Sequence, residues 1–257
     1  MLPYVYIYGE PLAMYGVMAL FGIAFSLAIA LAKHKAFHLR RRDVLLVITF
    51  AVIGALVGGW LFSVIGNIIE SSGAPDFWTA ARWIQMLNAG SVFYGGLLGA
   101  LGMAALWAKI GRIELKNVLN MGAYIGLAFQ SIGRIGCYCA GCCYGIELAD
   151  GAKFPVQLVE AGYCFAMLLA FLIVKPERRW PRVPLFPVYL TIYSVGRFCF
   201  EFLRGDANRG SLWIFSTSQW IALALVSLAV VWLWKSGVLS RLKRSSKHNV
   251  EENRLCE

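Results

Sequence analysis

Arg197, Glu201 and Arg204 recur at spacings of i, i+4 and i+7, which on a helix sets them along one face. Tyr193, one turn before Arg197, extends the same stripe, while Phe198, Phe202 and Leu203 fall opposite. Arg197 and Glu201 read as an ion pair. Two arginines against one glutamate leave positive charge over, which favours an anion. A second concentration runs from Ser131 to Gly145, where Gly133, Gly136, Gly141 and Gly145 surround Arg134. Glycines at a helix end permit close backbone approach, so backbone N–H groups could meet a phosphate that Arg134 grips in bidentate fashion. Packing of small residues explains the glycines equally well but leaves Arg134 without a reason.

Weaker signals accompany these. Gln157 and Glu160, one turn apart at the start of an apolar run, form either a polar network or a cavity wall. Tyr94-Gly95-Gly96-Leu97-Leu98-Gly99 opens another run, and helix packing is its default reading. Tyr15-Gly16 is weaker still. Cys139 and Cys142 have zinc-type spacing, with Cys137 and Cys143 beside them. No histidine is near, since His34, His38 and His248 lie elsewhere, and there is no second cysteine pair. These four cysteines are therefore not expected to bind metal; a disulfide is compatible with an oxidising face. Cys164 and Cys199 read as small buried residues.

The elements that must position these groups are membrane helices. Of 257 residues, 59% are hydrophobic and only 15% charged, with a mean hydropathy of +0.65; a soluble domain carries about 25% charge. The net charge of +10 sits in short clusters between apolar runs, which argues against nucleic acid as a partner. A span needs about 20 apolar residues. The candidates are Leu12–Ala32, Val44–Gly66, Ser91–Ala108, Asn117–Gly133, Phe154–Val174, Val183–Leu203 and Ser211–Trp234. The expected fold is thus all-α and polytopic, with about seven transmembrane helices. Lys and Arg concentrate after the first, third, fifth and seventh spans (Lys33 to Arg42, Lys109 to Lys116, Lys175 to Arg182, Lys235 to Arg254), which places that side in the cytoplasm. The N-terminus is then outside and the C-terminus inside. Residues 1–234 read as one transmembrane domain. Within it, 67–89 form an outer interfacial segment around Pro75, Asp76, Trp78, Arg82 and Trp83, and 235–257 form a basic cytoplasmic tail. Residues 1–10 lack the basic start of a cleavable secretory signal.

In their order, Tyr15-Gly16, Gly95 to Gly99, Gly133-Arg134-Ile135-Gly136, Gly145, Pro155 to Glu160, Tyr193 to Arg204 and Ser218-Gln219 resemble the prolipoprotein diacylglyceryl transferase family of the bacterial inner (cytoplasmic) membrane. The resemblance implies transfer of a diacylglyceryl group from phosphatidylglycerol to the thiol of a prolipoprotein signal-peptide cysteine. It implies no cofactor, and membrane lipids as surroundings. By the same resemblance, Tyr94, Arg134, Arg197 and Glu201 are catalytic. Tyr15, Gly95, Gly96, Cys137, Gly145, Gln157, Glu160, Tyr193 and Arg204 bind substrate. The chain departs from the family pattern where Tyr94 stands for a usual His, Cys137 for Asn, Cys142 for an acidic residue and Trp60 for Arg. These departures leave two alternatives: a related phosphatidylglycerol-dependent transferase with another acceptor, or a non-enzymatic lipid-binding membrane protein. Tyr94 is expected near Arg134 and Arg197, as a base toward the thiol or as a group orienting the donor.

Overall fold

The structure, a computed structural model, describes residues 3–237 except 8, 74–76, 88, 89, 91 and 206–210. Pro75, Asp76 and most of the basic tail therefore lie outside the described residues. The chain divides into two compact units, residues 37–118 and residues 1–36 with 119–257.

In the second of these, a hairpin of β1 (Tyr4–Ile7) and β2 (Glu10–Ala13) leads directly into α1 (Met14–Lys33). The sequence reading did not expect the hairpin, although Tyr4-Val5-Tyr6-Ile7 is rich in strand formers. The unit continues with α5 (Leu115–Ala140, from Leu119 onward), α6 (Val156–Val174), a short α7 (Pro176–Arg179), α8 (Leu185–Phe200), a 3₁₀ turn (Glu201–Leu203), β3 (Ser211–Leu212), β4 (Phe215–Ser216) and α9 (Thr217–Lys235). The 37–118 unit holds α2 (Arg41–Ser71), α3 (Ala80–Leu87) and α4 (Phe93–Ile110). Each of the seven expected spans holds a helix, although the first starts only at Met14, after β2, and the last only at Thr217, after β3 and β4. Five of them, α1, α2, α4, α6 and α9, are long and apolar enough to cross a membrane. The other two, α5 and α8, are those that carry Arg134 and Arg197.

Helix ends follow local chemistry. Ser216 and Gln219 form a reciprocal capping box at the start of α9. Lys175 adopts a left-handed conformation that ends α6, and Pro176 opens α7. The first N–H groups of α8, on Leu185 and Phe186, donate to Asn120 Oδ1 of α5 at 2.9 and 3.2 Å, which answers donors that no helix satisfies internally. Buried Tyr124 of α5 donates to the Phe171 carbonyl at 3.1 Å and to Glu177, which also pairs with Lys33 of α1 at 2.8 Å. This cluster ties α1, α5, α6 and α7 together at one end of the unit.

Two helix crossings depend on glycine. In the 37–118 unit, α2 and α4 meet through Gly54, Gly58, Gly95 and Gly99, and a Cβ on Gly54 or Gly99 would fall on the other's carbonyl oxygen. In the other unit a Cβ on Gly136 would lie 2.9 Å from Met18 Cβ, so α5 needs glycine to pack on α1. Gly99→Ala is expected to lower stability by about 3 kcal/mol, as overpacking does. Gly102→Ala, on the same helix with nothing within 4 Å, should be neutral or slightly stabilising. Thermal melting of both variants in detergent checks this; equal melting temperatures would show that the crossing does not depend on Gly99.

Candidate functional site

Four charged side chains from four segments form one ladder. Arg134 Nε of α5 lies 2.6 Å from Glu160 Oε2 of α6. The other oxygen, Glu160 Oε1, accepts from Arg197 Nη1 of α8 at 3.1 Å. Arg197 Nη2 then meets Glu201 Oε2 in the 3₁₀ turn at 2.7 Å and reaches Ser218 Oγ, at the start of α9, at 3.4 Å. Tyr193 of α8 lies beside Arg134. Both glutamates are buried, each about 4% exposed, and the arginine side chains are 18% and 11% exposed. Breaking a pair this buried costs several kcal/mol because the remaining charge has no water to return to. Hence the ladder is held in one arrangement.

The ladder corrects three expectations. The stripe Arg197, Glu201, Arg204 does not continue along one helical face, because α8 ends at Phe200 and Arg204 is extended (φ −86°, ψ 137°). Arg204 instead pairs by backbone with Gly145 across an antiparallel bridge. Nor do the N–H groups around Gly133 and Gly136 form a phosphate cradle, since α5 runs unbroken to Ala140 and those groups serve the helix. Positive φ first occurs at Gly141 (φ 73°). Nor does the ladder itself carry surplus positive charge, since Arg134 and Arg197 stand against Glu160 and Glu201.

The connection from Gly141 to Pro155 lies over the same end of the unit. Gly145 N donates to the Phe154 carbonyl at 2.9 Å, Ile146 N to the Leu203 carbonyl at 2.9 Å, and Gly205 N to the Tyr144 carbonyl at 3.1 Å. A Cβ on Gly145 would strike the Phe154 and Leu203 carbonyl oxygens. Gly145 is thus explained by backbone packing. Gln157, almost wholly buried, donates Nε2 to the Cys142 carbonyl at 2.7 Å, so it holds this loop against α6. Cys137, on α5 one turn beyond Arg134, joins Cys142 and Cys143, with the three sulfur atoms within 4.8 Å of one another. A hydrogen bond from Cys137, and behind it the charges of Arg204 and Arg134, hold the Cys143 thiol below its ordinary range against the opposing effect of burial. Cys139 is not part of the cluster. Tyr15, at the start of α1, packs beside Gly136. A small cavity lined by Glu160, Tyr163, Cys164, Tyr193, Arg197 and Phe200 adjoins the ladder.

Of the expected site residues, Arg134, Glu160, Tyr193, Arg197 and Glu201 come together directly, and Cys137, Gly145, Gln157 and Arg204 frame the adjoining loop. Tyr94, Gly95 and Gly96 belong to the 37–118 unit, where Gly95 packs against Phe62 and Gly58, and Gly96 against Ala55. The Ser218 hydroxyl was not among the expected site residues. Its signal was its place beside Gln219 at the capped start of the last apolar run.

Residues 4–235 match the family model described as prolipoprotein diacylglyceryl transferase. The chain is similar to proteins named phosphatidylglycerol–prolipoprotein diacylglyceryl transferase. The one from Clostridium tetani is 28% identical over 240 residues, covering 87% of this chain and 93% of the relative. One from Clostridium perfringens is 37% identical over 155 residues, with coverage of 53% and 59%. That from Methylibium petroleiphilum is 28% identical over 253 residues, with coverage of 87% and 92%.

Proposed function

Because this chain belongs to the prolipoprotein diacylglyceryl transferase family, a family of membrane transferases, we propose that it moves the diacylglyceryl group of phosphatidylglycerol onto a prolipoprotein signal-peptide cysteine. The ladder Arg134–Glu160–Arg197–Glu201 carries this reading, because the reaction's one large electrostatic demand is at a phosphate. The acceptor thiolate attacks the glyceryl carbon that bears the phosphate ester. The carbon–oxygen bond breaks, its electron pair stays on the phosphate oxygen, and glycerol phosphate leaves with one more negative charge than the lipid's phosphate carried. Fixed guanidinium donors stabilise that developing charge far better than mobile water does.

Each neighbour has a part in this scheme. Glu160 and Glu201 hold the two guanidiniums so that they need not reorganise as charge grows. Tyr193 fixes Arg134 from the side, and Ser218 fixes Arg197. Arg204 and the Gly145 loop bound the phosphate site, while Tyr15 and Gln157 line the approach. Tyr94, with the Gly95-Gly96 start of α4, serves the donor lipid. The seven helices span the bacterial cytoplasmic membrane with the N-terminus outside, so the site opens toward the outer leaflet, where the loops are poor in lysine and arginine. Membrane lipid surrounds the helices, the acceptor arrives as a signal peptide lying in the same bilayer, and nucleic acid has no part.

The test is complementation of a bacterium depleted of its own transferase, with mass spectrometry of a lipoprotein's N-terminal peptide. A diacylglyceryl mass on the cysteine is the expected result. An unmodified cysteine, with the protein correctly inserted in the membrane, would refute the assignment.

A further inference from the structure

Cys137, Cys142 and Cys143 face a common point although two of them are adjacent in the chain. Adjacent residues in extended backbone send their side chains to opposite sides. Here Cys143 takes a left-handed conformation (φ 58°), uncommon for a residue with a Cβ, and its sulfur joins the other two. The loop is held in that shape from several directions. Cys142 N donates to the Cys137 carbonyl at 3.2 Å, Gln157 Nε2 fixes the Cys142 carbonyl, and Gly205 N holds the Tyr144 carbonyl. Gln157 Oε1, on the amide clamped to that loop, is buried with no hydrogen-bond partner among the described residues. The sulfur atoms lie within 4.8 Å of each other; three thiolates on one zinc ion at about 2.3 Å would stand about 3.8 Å apart. The expectation that these cysteines bind no metal rested on the lack of a histidine and a second cysteine pair, and a three-thiolate site requires neither.

We propose that Cys137, Cys142 and Cys143 bind one zinc ion as thiolates, and that the fourth position of this zinc takes the thiol of the acceptor cysteine. This rests on the transferase reading above. Among the described residues the cluster offers three ligands, the number found in catalytic zinc sites that keep a position for substrate. A thiol that coordinates zinc is deprotonated outright, which supplies the thiolate that displacement needs. The acceptor thiol replaces a water on the metal and its proton passes to solvent. The zinc-bound sulfur attacks the glyceryl carbon, the carbon–oxygen bond breaks toward the phosphate, and glycerol phosphate leaves. The product thioether is neutral and a poor zinc ligand, so it dissociates and water returns. Cys137 lies one turn from Arg134 on α5. The attacking sulfur and the leaving phosphate are thereby served from one end of α5.

The experiment uses the full-length protein, reduced and purified in detergent. It is expected to hold one zinc per chain after reconstitution, and its cobalt(II) form should show intense thiolate-to-cobalt absorption. A cysteine-containing signal peptide should change that absorption without any lipid present, and the same peptide with serine should not. Cys143→Ser should weaken zinc binding ~100-fold or more with little change in melting temperature, while Cys139→Ser should retain it. If Cys143→Ser fails to fold, Cys142→Ala and the wild-type cobalt spectrum still decide. Substoichiometric zinc, a cobalt form without thiolate absorption, or a spectrum indifferent to the cysteine peptide would each overturn the proposal. A disulfide among the three whose reduced form binds no metal would overturn it too. Undiminished transfer after complete chelation would sink the metal's role and leave the transferase reading standing. Zinc binding with a peptide-responsive spectrum but no transfer would do the reverse.

Discussion

Arg134→Lys and Arg197→Lys are each expected to lower kcat/KM by ~100-fold or more, about 2.7 kcal/mol of lost transition-state stabilisation. Lysine keeps the charge, so a purely electrostatic site would tolerate the change. The geometry says otherwise. Arg197 spends Nη1 on Glu160 and Nη2 on Glu201 and Ser218, and a single ammonium cannot span those partners and still face a phosphate. Arg134 binds Glu160 through Nε, which holds the planar fork at a fixed angle. A lysine there can meet Glu160 or the phosphate but cannot present a planar fork to both. The loss should fall mainly on kcat, because charge on the phosphate grows as the ester bond breaks. Arg134→Lys is the cleaner test, since Arg197→Lys also weakens the pairing of buried Glu201. Steady-state kinetics with detergent-solubilised phosphatidylglycerol, alongside melting curves, separates catalysis from folding. If both variants kept normal turnover and lipid affinity, the arginines would not be the phosphate site.

The helices were legible because apolar runs of span length leave few alternatives, and each of the seven expected spans holds a helix. Their ends were less legible. Arg134 and Cys137 are on α5 because nothing at Gly133 or Gly136 calls for a left-handed backbone, and the helix stops only where Gly141 supplies one. The expected span stopped at Gly133, yet at Gly136 the glycine answers to Met18 on α1. Arg204 left its stripe because the chain tightens into a 3₁₀ turn after Phe200 and then joins Gly145. Periodicity assumes a continuing α-helix and cannot register such a change of pitch. Pairings across elements were the least visible. Glu160 and Arg197 are 37 residues apart, and only folding turns two separately expensive intramembrane charges into one bridged group. The cysteine cluster was hidden for a related reason, since its convergence depends on one left-handed residue in the loop.

Tyr94→Phe is expected to cost ~100-fold in turnover while leaving the fold intact, as removal of a reacting or orienting hydroxyl does. The residue is the second in α4, and its ring meets Phe93 edge-on at 5.5 Å. Beneath it Val92 N donates to the Gly59 carbonyl at 3.1 Å, and Gly95 packs against Phe62 and Gly58, so the backbone that carries Tyr94 is set by the α2–α4 crossing. Phenylalanine preserves the ring contact and removes only the oxygen, so the melting temperature should fall by far less than loss of the fold requires. The pH profile then identifies the hydroxyl's task. A base becomes dispensable once solution conditions ionise the acceptor, whose thiol has an ordinary pKa near 8.5. Wild-type and variant rates would then converge in alkaline solution. A hydroxyl that orients the donor lipid costs the same factor at every pH. Were the proposed zinc to ionise the acceptor, the constant factor would be the expected result. Unchanged activity at all pH values would reduce Tyr94 to an aromatic anchor of the kind common at membrane interfaces. The carboxylates left to consider would be Glu160 and Glu201, both already committed to arginines.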